Sequence, residues 1–186
     1  MIKNKSTEIL KEEHKVIKVI LDVLEEITKR AEKREKIDSD DVLKIIDFIR
    51  TFADKCHHGK EEDLLFVEME KAGVPKEGGP IGVMLQEHDI GRNYVRGMDE
   101  AIKKYKSNKT GIKEFIENAY GYVDLLRQHI DKEDNILYMM ADMHLSSAQQ
   151  EKLIKEFDKV EEKMGEGVHE KYHKLAESLK EKYLKK

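Results

Sequence analysis

Among the side chains able to hold a metal or move a proton, the histidines and a few glutamates have the most informative spacing. On an amphipathic helix, residues three, four and seven apart share a face. His14 lies four residues after Leu10 and three before Ile17; His88 lies four after Met84 and seven before Val95; His129 lies four after Leu125 and seven before Ile136. Each therefore belongs to an apolar stripe. In the His57–His58 doublet, a strict α-helical register places His57 with Ala53, Ile49 and Ile46, facing inward, and His58 with Asp54, Arg50 and Asp47, facing outward. Two of the inward histidines carry a glutamate one turn later, as His57-x-x-x-Glu61 and His129-x-x-x-Glu133. A buried carboxylate is costly unless it is paired or bound to metal. Four neutral imidazoles and two carboxylates suit a first-row metal such as iron, manganese or zinc, and two carboxylates can bridge two ions. The predicted metal ligands are His14, His57, Glu61, His88, His129 and Glu133.

The elements that must position them follow from punctuation. Glycine and proline are sparse within the long segments and cluster between them. The first helix is expected from about Ser6 to Glu35, with Ile9, Leu10, Ile17, Leu21, Leu24 and Ile27 on its dry side. The second starts after Ser39 and carries Val42, Ile45, Ile46, Ile49, Phe52 and Ala53. GVPKEGGP, residues 73–80, separates it from a third helix with Pro80 in its first turn. Thr110 is the expected N-cap of a fourth helix reaching about Met143. Ser146 and Gln149 form a capping box that opens a fifth segment, interrupted at Gly165-Glu166-Gly167. The predicted fold is all-α: an up-down-up-down four-helix bundle over residues 1–145, with an additional C-terminal helical segment over 146–186 packed on the bundle or at an interface.

CHHGKEEDLLF at 56–66, GPIGVMLQEHDIGR at 79–92 and LLRQHIDKEDNILY at 125–138 resemble the hemerythrin-like proteins with the HHE cation-binding domain. The resemblance spans about residues 5–145. It implies a four-helix bundle around a non-haem di-iron site, hence two iron ions, and carries the family's ligands onto the same six residues. The implied partner is a small diatomic or peroxide ligand: dioxygen, nitric oxide or hydrogen peroxide. The oxygen-carrying hemerythrins place a second histidine four residues after the helix-three ligand, where this chain has Arg92. A guanidinium cannot ligate iron, so Arg92 must turn away, pair with an acid or hold a metal-bound anion. Tyr94, Tyr122, Tyr138, Glu87 or solvent are the candidates to replace the missing ligand, and Asp134 is the alternative to Glu133. Unequal coordination of the two metals follows, as does peroxide or nitric oxide reactivity in preference to oxygen transport. The rival function is a metal-sensing, iron-storage or structural module that docks a protein partner or a second copy through residues 146–186.

Composition narrows the remaining classes. The 186 residues are 40% charged and 39% hydrophobic, with a net charge of −4 and both signs interspersed, so no basic stripe offers itself to nucleic acid. A single cysteine, Cys56, excludes an internal disulfide, and the N-terminus has no apolar run for a signal or membrane anchor; a cytoplasmic protein is expected. Cys56 reads as a packing residue, and the H-E-x-x-H string at His169–His173 as a chance occurrence in a Lys/Glu-rich segment.

Overall fold

The computed structural model describes residues 5–185 and is built from helices, with no strand among the described residues. The first rod is α1 (Ser6–Glu32). The second is continuous from α2 (Ser39–Phe48) through π-helical stretches at Ile49–His58 and Glu61–Leu65 to α3 (Phe66–Lys71). The third is α4 (Pro80–Asn108); the fourth joins α5 (Ile112–Lys132), a π-helical stretch at Glu133–Leu137 and α6 (Tyr138–His144). A hairpin of α7 (Ser147–Met164) and α8 (Val168–Tyr183) follows.

Local chemistry explains most of the boundaries. Asp38 caps α2 by accepting from the backbone N–H groups of Asp40 and Asp41. Pro80 opens α4 where its missing N–H has no helical partner to lose. The Ser146–Gln149 capping box starts α7. Two boundaries differ from the sequence-based expectation. The first helix stops at Glu32, just before Arg34 takes a left-handed conformation. Thr110 does not cap the fourth rod: its hydroxyl donates to Asn108 Oδ1, and Gly111, at φ 85°, occupies the cap position. A Cβ at position 111 would lie 2.7 Å from the Ala101 carbonyl oxygen, so only glycine permits this tight corner.

Ion pairs fix the direction of the rods. Arg127 reaches Asp22 and Glu25 while Lys5 reaches Asp142, so the first and fourth rods are antiparallel. Arg50–Asp99 and Lys106–Asp40 do the same for the second and third. Histidines and glutamates form a polar layer that splits the apolar interior in two. On one side lie Ile17, Phe52, Val95 and Ile130 with their neighbours; on the other, Leu10, Leu65, Met84 and Leu137. The C-terminal hairpin joins both halves, Tyr172, Ala176 and Leu179 packing into the first and Leu153 and Phe157 into the second. Among the described residues no helix is long and apolar enough to cross a membrane.

Candidate metal centre

The structure brings His14, His57, Glu61, His88, His129 and Glu133 together in the polar layer, all of them buried. They form two adjoining groups. His14, His57, Glu61 and Glu133 make one; His58, Glu61, His88 and His129 make the other. Both carboxylates reach across: Glu133 Oε1 lies 3.1 Å from His129 Nε2 and its Oε2 lies 3.3 Å from His14 Nε2. Glu61 Oε2 lies 3.7 Å from His57 Nε2 and 3.5 Å from His88 Nε2.

His58 corrects the register argument. It is not on the wet face but 6% exposed, beside His57 at 1%. Its ring stacks on His88 at 3.8 Å between centroids. The cause is the π-helical stretch ending at His58, whose i→i+5 bonds fit an extra residue into each turn and bring two successive histidines into the inward arc. The π-helical turn at Glu133–Leu137 has the converse effect: Ile136, assigned to the apolar stripe by strict α-helical counting, is 55% exposed. His58 thus adds a fifth imidazole to the buried layer. Tyr138 instead donates to Glu61 Oε1 at 2.6 Å, Tyr94 packs over Gly121, and Asp134 lies behind His14.

Each of the five imidazoles has a carboxylate at Nδ1. Asp134 pairs with His14 at 2.7 Å, Glu13 with His57 at 2.8 Å, Asp54 with His58 at 3.4 Å, Glu62 with His88 at 2.7 Å and Glu87 with His129 at 2.8 Å. A proton on Nδ1 leaves the Nε2 lone pair facing the centre, the arrangement that orients metal-bound imidazoles. The carboxylates have cations of their own: Lys18 for Asp134, Lys60 for Glu13, Lys132 for Glu87, and Arg92 for both Asp54 and Glu62. Arg92 pairs with acids, one of the roles open to it, and through them it steadies His58 and His88. Glu13 and Glu62 escape a reading of the sequence because nothing in a helical period says which carboxylate of a neighbouring rod will lie behind a given ring. Asp54, by contrast, stands one turn before His58 on its own rod.

The interior of the layer fits a cation. His57 Nε2, Glu61 Oε2 and both oxygens of Glu133 are buried without a hydrogen-bond partner, although His14 and His129 lie within ion-pairing distance of Glu133. His88 Nε2 and His129 Nε2 face each other at 3.0 Å. Two lone pairs do not face each other at that spacing without a proton or a cation between them. In the metal-free chain protons meet the need. Burial, and then the charge of Glu133, push the Glu61 carboxyl well above the usual range. Burial pulls the His129 imidazole down, but Glu133 and Glu87 outweigh it and raise it to about 9. Burial holds His58 at about 4, and burial with the charge of His58 holds His88 at about 3, so both stay neutral.

The hemerythrin HHE cation-binding domain model matches residues 5–141. The chain belongs to this family. The matched residues stop before the α7–α8 hairpin. The chain is also 31% identical over 133 residues to a protein of Dickeya chrysanthemi (strain Ech1591) named iron-sulfur cluster repair protein YtfE, an alignment covering 63% of this chain and 57% of the relative. The chain thus matches little more than half the length of that relative. No solved structure matches the chain.

Cation binding in a hemerythrin-like domain requires neutral imidazoles and ionised carboxylates, so uptake must displace the protons on Glu61 and His129. Proton release is expected near pH 7, with affinity rising as pH rises toward about 9, where His129 deprotonates on its own. Calorimetry in buffers of different ionisation enthalpy measures the release. Identical heats in all buffers would contradict it.

Two side motifs resolve without metal chemistry. Cys56 is buried, and burial pushes its thiol up to about 12, as expected of a packing residue. His169 turns to Cys56 and Glu13, and among the described residues no group of donors close enough to share a metal contains both His169 and His173.

Proposed function

We propose that this protein is a non-haem di-iron protein that binds or reacts with a small ligand, nitric oxide or peroxide in preference to reversibly carried dioxygen. The observation that carries the reading is the pair of adjoining donor groups joined by two buried carboxylates, with unpartnered oxygens and facing Nε2 atoms at their centre. His58, His88 and His129 would hold one iron, His14 and His57 the other, and Glu61 and Glu133 would serve both. Iron bound there would supply redox and Lewis-acid chemistry toward the ligand.

The unequal histidine count supports a division of labour. A cavity of about 600 Å³ opens between the second, third and fourth rods and is lined by His58, His88, His129, Gly91, Arg92 and Tyr122. A ligand entering there meets the three-histidine side. The His14–His57 side is closed over by Tyr138 and by the Glu13–Lys60 pair. In this reading Tyr122 and Leu126 restrict water, while Asp54, Glu62 and Glu87 keep the three rings aimed and fix their Nδ1 protons. The name of the Dickeya relative makes iron–sulfur cluster repair the physiological setting we favour for this chemistry.

Metal analysis of anaerobically purified protein, followed by titration with nitric oxide, peroxide and dioxygen, tests the reading. Two irons per chain and a visible absorption change on adding nitric oxide or peroxide are expected. An iron-loaded protein that stays colourless and unreactive with all three, or that oxygenates reversibly through many cycles, would overturn it.

A further inference from the structure

Four of the five inward histidines are supported wholly from within the bundle. The cations behind their carboxylates are Lys18 on α1, Arg92 on α4 and Lys132 on α5. The fifth, His57, is supported differently. Glu13 divides its carboxylate between His57 Nδ1, 2.8 Å from Oε2, and Lys60 Nζ, 2.5 Å from Oε1. Lys60 is fully buried, and its second counter-charge comes from outside the hemerythrin-like domain: Nζ donates to Glu161 Oε1 of α7 at 2.6 Å. Phe157, one turn before Glu161, places its ring 5.7 Å from the same ammonium.

We infer that Glu161 is a positioning residue for the metal position built on His14 and His57, acting through Lys60 and Glu13; this rests on the two-metal reading above. A buried ammonium is stable only while its charge is matched. With both carboxylates in place, Glu13 can turn one oxygen to Lys60 and keep the other on His57. Once Glu161 is neutral, Lys60 has Glu13 as its one carboxylate partner and competes with His57 for it. The ring then loses its fixed tautomer and aim. The C-terminal hairpin is thereby part of the metal centre's support, and its docking is linked to the two-histidine side.

The same geometry shows why the nearby Glu13–Cys56–His169 trio is no further metal site. Its donor atoms lie close enough together for one, but the Lys60 ammonium already supplies the cation there, bonded to Glu13.

Glu161 keeps 37% of its side chain exposed, so Glu161→Gln removes the charge without opening the core. Glu162→Gln removes an equal charge from the next, exposed position. In the metal-free full chain, imidazole ¹H–¹⁵N spectra should show His57 as the Nδ1–H tautomer in the wild type and Glu162→Gln, and as a broadened or mixed state in Glu161→Gln. In anaerobic Fe²⁺ titrations followed by ⁵⁷Fe Mössbauer spectroscopy, Glu161→Gln should weaken one iron about 3- to 10-fold. That is below the roughly 10- to 100-fold loss for a residue directly behind a ligand. The other iron should stay within twofold, and Glu161→Asp should restore most of the loss. An unchanged His57 tautomer with both affinities unchanged would overturn the inference, as would equal loss at both irons or the same loss in Glu162→Gln. A wild type that takes up fewer than two irons defeats the two-metal reading instead, and the metal-free spectra still decide the relay.

Discussion

Glu61→Gln should leave the metal-free fold almost untouched and abolish paired metal binding. In the metal-free chain burial and the neighbouring Glu133 keep the Glu61 carboxyl protonated, so it is already a neutral group accepting from Tyr138 through Oε1. A glutamine amide has the same shape and can offer its carbonyl oxygen to Tyr138, so the change in stability should stay within about 1 kcal/mol, the scale of one net hydrogen bond. Metal binding lacks that tolerance. Glu61 is common to both donor groups, and an amide supplies no negative charge to share between two cations. Affinity for the second metal should fall by at least about 100-fold, beyond the loss typical of outer residues. Thermal unfolding of the metal-free variant and metal content of the loaded one separate the two effects. Two metals per chain in Glu61→Gln would remove Glu61 from the bridge.

How far the sequence anticipates this site depends on the kind of regularity involved. Long amphipathic stripes, a proline at the start of α4 and a capping box before α7 are local patterns, and the corresponding elements lie where those patterns place them. The convergence of His14, His57, Glu61, His88, His129 and Glu133 is equally local, because each residue occupies an apolar stripe or stands one turn from such a histidine. The errors fall where the chain leaves the α-helical period. Counting in α-helical turns from Ala53 to His57 is sound until the backbone widens at Ile49–His58, and then the next residue faces inward as well. The period itself does not announce the widening, and π-helical turns concentrate at functional sites. A local regularity also cannot rank Glu13, Glu62 and Glu87, which reach their histidines from neighbouring rods. Thr110 does not serve as a cap for a related reason: its hydroxyl bonds to Asn108, and the Gly111 corner is fixed by close approach to the Ala101 carbonyl on the preceding rod.

That widened turn sets up the second large effect. A solvent-facing His58 would make His58→Ala a surface change worth at most about 0.5 kcal/mol, with His57→Ala alone losing metal. On the two-metal reading a different outcome is expected, in which each substitution should remove one metal and His58→Ala the one next to the cavity. His58 is one of only three imidazoles in its group, stacks on His88 at 3.8 Å, and is tied through Asp54 to the Arg92 that also holds Glu62. Alanine takes away one donor and the face against which a second rests, so the remaining donors of that position are both fewer and looser. Content should fall from two metals to about one, and reaction with nitric oxide or peroxide should be lost. His57→Ala should also leave about one metal, but on the cavity side, with part of that reaction retained. Metal content, Mössbauer spectra and ligand titration on the two variants side by side read the difference. If His58→Ala keeps two metals at wild-type affinity while His57→Ala does not, His58 is a neighbour of the centre and not a member of it.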